Sequence, residues 1–334
     1  AQDGSFDGVY ARQYDGSGTA LTAETRVNTT TTDYQDLPGV AADANGHLVV
    51  VWHGNGSGDS DGIFMQRYLY AVAPVLTLSG YSDTYVENAG VIFDASATVT
   101  DADTTVFSGG QLLYQITANG SSSDELGIRN QGSGAGLIGL SGSNVTYGGT
   151  VIGSYSGSAG AGSFGNGSTL LTVDFNSNAS VAAVQALVRN VTFRDTSDNP
   201  STATRTISLT VSDGTGMTST PAVVTMAVTA VNDAPVITSN GGGASASVSV
   251  AETRTAVTTV TSTDADGGTA VYSIAGGADA AKFTLDASTG ALAFITAPDY
   301  EAPTDSGADN VYNLQVTASD GARKIGRASC RERV

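Results

Sequence analysis

Apolar residues in this chain recur mostly at every second position, in short runs broken by Gly, Asn, Asp and Ser. Thr206-Ile207-Ser208-Leu209-Thr210-Val211 and Asn313-Leu314-Gln315-Val316-Thr317-Ala318 are two such runs. Alternation of this kind turns one face of a strand to a core and the other to water, and closely spaced turn residues keep the strands short. One stretch departs from the rule. Between Ser180 and Asn190, residues Val181, Val184, Leu187 and Val188 follow helical spacing. The pattern predicts an all-β chain of sandwich or barrel type with one short helix.

Above the level of strands the chain repeats itself. Asp7-Gly8-Val9-Tyr10-Ala11-Arg12-Gln13-Tyr14 returns 54 residues later as Asp61-Gly62-Ile63-Phe64-Met65-Gln66-Arg67-Tyr68. A period near 50 built from about four strands suggests a propeller blade or a similar stacked unit. Residues 1–70 are read as one such repeat, truncated at its start, and they resemble a repeat of large bacterial surface proteins. Trp52 is expected in its core with His53 beside it at the surface. Asp59-Ser60-Asp61-Gly62 reads as a plain turn, with Ca²⁺ binding as the alternative.

Two boundaries follow, at Ala71-Val72-Ala73-Pro74-Val75 and at Ala230-Val231-Asn232-Asp233-Ala234-Pro235-Val236. After the first come Val86-Glu87-Asn88, Asp101-Ala102-Asp103 and Val211-Ser212-Asp213-Gly214. After the second come Val250-Ala251-Glu252, Asp264-Ala265-Asp266 and Ala318-Ser319-Asp320-Gly321. The shared order makes residues 73–231 and 232–323 tandem copies of one module. The first is the longer because of a Gly/Ser-rich insertion at roughly 108–168, where tight turns and extended hairpins are expected. Two Gly-x-Gly-x-x-Gly matches in it, Gly134 to Gly139 and Gly160 to Gly165, lack the strand–turn–helix setting of a dinucleotide site.

The second copy resembles a cadherin repeat. The resemblance rests on Glu252, Asp264-Ala265-Asp266, Asp286-Ala287-Ser288-Thr289-Gly290, Asp299-Tyr300-Glu301 and Ser319-Asp320-Gly321, with Asn232-Asp233 as the linker before them. The first copy resembles a longer cadherin-like domain of bacterial adhesins, without an evident counterpart of Asp299 and Glu301. The resemblance implies tandem Ig-like or cadherin-like Greek-key sandwiches behind the truncated propeller-like repeat. It also implies Ca²⁺ ligands. Glu87, Asn232, Asp233, Asp264, Asp266 and Asp320 would share the junction between the copies. Glu252, Asp299 and Glu301 would face the next junction. Asp101, Asp103 and Asp213 would face the one before, whose Ala71–Pro74 linker has no Asn-Asp pair. The residues support this chemistry directly: Ca²⁺ takes about six to eight oxygens, and clustered carboxylates repel one another until a cation neutralises them. Asp264 and Asp266, two apart on an extended strand, are expected to converge on one ion.

Charge sharpens the picture. Asp and Glu number 32 against 14 Lys and Arg, a formal charge of −18, which argues against nucleic acid. Four of those 14 basic residues and the one Cys fall in Lys324–Val334. That tail resembles the conceptual translation of a sequencing adaptor, and the strand pattern is expected to end at Arg323. The alternative is a basic tail with one free thiol. With only two His and no nucleophile-elbow motif, catalysis is not expected. The chain reads as an internal piece of a large secreted surface protein of a bacterium, of the RTX/VCBS adhesin type. It is expected outside the cell, secreted to the cell surface and associated with the outer membrane. Its expected partners are Ca²⁺, neighbouring repeats, and like molecules or surface glycans. The alternative is an accessory or carbohydrate-binding region of a secreted multidomain hydrolase.

Overall fold

The computed structural model describes residues 7–12, 14, 18–20, 23–42, 47–68, 71–80, 82–156 and 170–322, and the main chain of 324–333. The Gly160–Gly165 match lies outside these residues. Among those described, strands dominate and the one α-helix is Val181–Val188. Ser180 starts that helix with its hydroxyl oxygen accepting the Ala183 N–H at 3.2 Å, and Ala183, Val184, Leu187 and Val188 form its buried face. The chain divides into two compact units. One comprises Ala1–Asp83, Ile92–Phe193 and Thr206–Thr225, and the other Thr84–Val91, Arg194–Arg205 and Met226–Val334. This division groups three segments of the first copy with the residues of the second.

In the first unit, residues 1–70 yield a three-stranded antiparallel sheet of Gln35–Ala42, Leu48–Gly56 and Asp59–Tyr68, and a two-stranded one of Tyr10–Ala11 and Thr25–Arg26. Val9, Val27, Val50 and Trp52 form a small buried cluster against which Phe64 and Tyr68 pack. These sheets do not establish a propeller blade. The Asp59–Gly62 segment opens a strand instead of making a turn, since the hairpin reverses at Ser57-Gly58.

The remainder of this unit is organised by a sheet in which Ile138–Ser141, Asn144–Tyr147, Thr150–Ser156, Leu170–Phe175, Gln111–Ala118 and Arg205–Val211 are successive neighbours. The Gly/Ser-rich stretch does form hairpins. Gly148 and Gly149 reverse the chain with φ of 59° and 82°, a conformation that favours glycine. At its start the reading as an insertion is corrected. Gln111–Ala118 lies between Leu170–Phe175 and Arg205–Val211, with Leu112 and Tyr114 fully buried, so it is a core strand.

The second unit holds a four-stranded sheet ordered Ser245–Ser249, Lys324–Arg333, Val311–Ser319, Val271–Gly276, and a three-stranded one ordered Ala256–Thr259, Ala291–Phe294, Phe283–Leu285. Between them lies a core of Ile237, Val250, Val260, Phe283, Leu292, Phe294, Tyr312, Leu314, Val316 and Ala318. Phe283 and Phe294 have ring centroids 4.4 Å apart, and Tyr312 meets Phe294 edge-on at 5.0 Å. The strand Lys324–Arg333 corrects the expectation that strand pattern ends at Arg323. It pairs antiparallel with Val311–Ser319 and parallel with Ser245–Ser249. A ladder bonds main chain to main chain, so a proline-free segment following on from Ala322 fills the slot whatever its side chains.

Candidate metal centres

Among the described residues, acidic side chains gather in three places. In the first unit Asp101, Asp103 and Asp213 bring carboxylate oxygens within 4.8 Å of one another. The turn Asp101-Ala102-Asp103 is built by Asp101 Oδ1, which accepts the N–H groups of Asp103 at 3.0 Å and Thr104 at 2.8 Å. Asp103 Oδ1 accepts the Val72 N–H at 3.2 Å, so it reaches the first boundary although no Asn-Asp pair stands there. Asp213 is 1% exposed; its Oδ1 accepts the backbone N–H and hydroxyl of Thr215 at 2.7 and 2.8 Å. Asp101 Oδ2 and Asp213 Oδ2 are buried without a hydrogen-bond donor. Burial, with the adjoining Asp103 carboxylate, pushes the Asp101 carboxyl above its ordinary range despite the bonds from Thr104 and Asp103.

In the second unit Glu87, Asp198 and Asp233 likewise lie within 4.8 Å of one another. Glu87 is buried, and its Oε2 accepts the Val231 N–H at 2.7 Å. The Asp233 N–H donates to Asp266 Oδ2, and the Asn232 amide donates to Asp320 Oδ2 at 2.5 Å. Asp264 lines a pocket with Asp198 and Asp233, and its Oδ2 is buried without a donor. These contacts bring together the six residues expected at the central junction. They also correct one geometry. Asp264 and Asp266 lie in the turn after Ser262–Thr263, where Asp264 Oδ1 accepts the Asp266 N–H at 3.0 Å, rather than side by side on a strand. The same grammar shapes Asp101-Ala102-Asp103, and it leaves the second oxygen of each first Asp for another partner.

Asp198 was not singled out from the sequence. It follows the strand Val191–Asp195 in Thr196-Ser197-Asp198-Asn199-Pro200, which reads locally as an ordinary polar loop. Its place after that strand is the signal available, since Asp299 and Glu301 follow Ala291–Phe294 in the second copy. Glu252, Asp299 and Glu301 form the third cluster, also within 4.8 Å of one another, and all three are exposed. The Tyr300 N–H points to Glu252 Oε2 at 3.4 Å, and the Glu301 N–H donates to Asp299 Oδ1 at 3.1 Å.

Two further charged groups, Asp286 and His53, behave as structure. Asp286 accepts from Thr289 and Ser288, whose bonds hold its carboxyl well below the usual range. His53, beside the buried Trp52, sits between Asp36 at 3.1 Å and Asp61 at 2.9 Å. The Asp36 hydrogen bond, aided by the Asp61 charge, raises its pKa, so the imidazolium is favoured.

The Cadherin domain model matches residues 246–331. Among solved structures, mouse Cadherin-23 EC22-24 is 16% identical, with a TM-score of 0.34, covering 99% of this chain and 94% of that one. The Protocadherin gammaB7 EC3-6 cis-dimer structure is 14% identical, with a TM-score of 0.37, covering 99% and 71%. The human Desmocollin-1 ectodomain is 13% identical, with a TM-score of 0.33, covering 86% and 46%. No curated protein matches the chain. No helix among the described residues is long and apolar enough to cross a membrane.

Proposed function

We propose that this chain is a calcium-binding adhesive segment of a large extracellular protein of the bacterial surface, in which Ca²⁺ stiffens the joints between successive β-sandwich domains. The matched Cadherin domain is an adhesion family, which supports an adhesive extracellular role for residues 246–331. The observation that carries the calcium reading is the set of buried carboxylate oxygens with no donor: Asp101 Oδ2, Asp213 Oδ2 and Asp264 Oδ2. Each belongs to an Asp whose other oxygen is already engaged in a local turn. A buried charged oxygen without a donor is costly, and a hard divalent cation is the partner that relieves several such oxygens together.

Asp101, Asp103 and Asp213 would hold one ion. Glu87, Asp198, Asp233 and Asp264, with Asn232, Asp266 and Asp320 around them, would form the central site, and Glu252, Asp299 and Glu301 the third. When bound, the cation neutralises the carboxylates; the chain's part is to hold their oxygens together through the Asx turns and the backbone bonds to Glu87 and Asp266. Because the cation binds the folded chain, it should stabilise by about 2.7 kcal/mol at a free concentration 100 times Kd. Thermal unfolding of the full chain with Ca²⁺ and with chelator tests this. A clear rise in midpoint with Ca²⁺ is expected, and equal midpoints would sink the reading. Calorimetric titration locates the effect: Asp264→Asn should weaken Ca²⁺ binding about tenfold or more while Asp59→Asn leaves it unchanged.

A further inference from the structure

The first unit contains a cavity of about 360 Å³ whose lining is unlike the rest of this acidic chain. Arg129, Gln131, Tyr147, Gln185, Arg189 and Asn190 supply its polar groups, and among the described residues no Asp or Glu lines it. We propose that this cavity binds a carboxylated saccharide unit of the hexuronate class.

The argument rests on which ends of these side chains are already engaged. Gln131 and Gln185 spend their carbonyl oxygens on the chain itself, accepting the N–H groups of Ile138 at 3.3 Å and Val99 at 3.2 Å. That leaves their amide N–H₂ groups as the available polar ends. Arg189 donates through Nε to Ala97 O at 2.7 Å, which fixes the guanidinium and leaves its terminal nitrogens. Arg129 is held by its main chain, its N–H donating to Asn190 O at 2.8 Å. Neither arginine pairs with a carboxylate among the described residues, whereas Arg205 is paired with Asp195. Asn190 donates through Nδ2 to Ala186 O at 2.9 Å, which leaves its carbonyl oxygen as an acceptor. The polar side chains thus offer two guanidinium groups and two amides as donors against that one amide oxygen and the Tyr147 hydroxyl. Donors converging in a concave site select an anion, and a guanidinium takes a carboxylate through two parallel bonds. With two arginines and no acid among its described lining residues, the cavity is locally cationic on a chain of charge −18. Tyr147 and the apolar wall of Leu137 and Ile92 give a saccharide ring a surface to lie against, and the volume exceeds what a small inorganic anion needs.

The elements that carry the donors make them well placed. Gln185 is on the helix Val181–Val188, Arg189 caps its C-terminus, and Tyr147 ends the hairpin strand Asn144–Tyr147. This site is independent of the calcium reading, and the test is arranged to keep the two apart. Trigalacturonate is titrated calorimetrically into the full chain in chelator, so that no carboxylate is captured through Ca²⁺. Binding is expected, weakening as salt rises, with none for the neutral galactose trisaccharide. Arg129→Gln should lower affinity at least about tenfold, the loss of one charge-assisted contact, with an unchanged thermal midpoint, since its side chain supports no element. Arg254→Gln, an arginine elsewhere in the chain, should leave affinity as it is. Failure of trigalacturonate to bind, equal binding of the neutral sugar, unaltered binding by Arg129→Gln, or an equal loss with Arg254→Gln would each overturn the proposal. Sulfate binding as tightly as trigalacturonate would overturn the saccharide assignment.

Discussion

Arg205→Leu is expected to lower stability by about 3–5 kcal/mol, because it would leave the Asp195 carboxylate charged and buried without its partner. Both side chains are fully buried, with Arg205 Nη2 2.9 Å from Asp195 Oδ2. The guanidinium also donates to the backbone oxygens of Ser201 and, at 2.7 Å, of Ala203, so it stitches the loop after Asp195 to the strand that follows. Tyr85 joins the same network, its hydroxyl donating to Asp195 O at 2.7 Å. Asp198 lies within that loop. On the proposed calcium reading, the variant should therefore weaken Ca²⁺ binding as well as folding. Urea unfolding measures the first effect and calorimetric titration the second. A loss below about 1 kcal/mol would show that the pair is replaceable by apolar contact. The double variant Arg205→Leu/Asp195→Leu should recover much of the loss, since no charge then remains buried.

Ending the chain at Arg323 should be at least as damaging. The strand Lys324–Arg333 is bonded on both sides, to Ser245–Ser249 and to Val311–Ser319. Without it, Ser245–Ser249 loses its ladder and Val311–Ser319 keeps only its pairing to Val271–Gly276, so the core of Tyr312, Leu314, Val316 and Ala318 is covered by half of its sheet. At about 0.5–1.5 kcal/mol for each net hydrogen bond, the deficit is about 5 kcal/mol or more, comparable with the whole stability of a small domain. The expected observation is loss of the cooperative thermal transition of the second unit. A truncated chain that melts like the parent would show that the strand contributes nothing.

Period-two alternation located the half-buried strands, because such a strand writes its two faces into its residues. Arg205–Val211 alternates buried and half-buried positions along its whole length. Val181–Val188 was legible for the same reason at a different period. Composition misled where it competed with pattern: Gly109 and Gly110 open a Gly-rich stretch, yet Gln111–Ala118 just after them is a core strand. The acidic clusters were legible as far as repetition reached. Asp101, Asp103 and Asp213 were found because the second copy repeats their order, and the structure gathers them. Asp198 has no such marker, and its nearness to Glu87 and Asp233 depends on contacts between residues more than 30 apart. The Asp264 geometry was missed for a local reason: an Asp side chain that accepts the N–H two residues on turns the chain, and strand projection rules then cease to apply.

The pairing of Ser245–Ser249 with Lys324–Arg333 has a mechanical consequence. The two strands lie at opposite ends of residues 245–333 and run parallel, with five registered pairs from Ser245↔Ser329 to Ser249↔Arg333. Tension applied through the two ends of that segment draws them in opposite directions along their own length. The rungs between them are then sheared together instead of being peeled one after another, so rupture needs several to fail in the same instant. In a forced-unfolding trace this geometry gives a single high peak for residues 245–333, where a ladder opened from its end would yield gradually at low load.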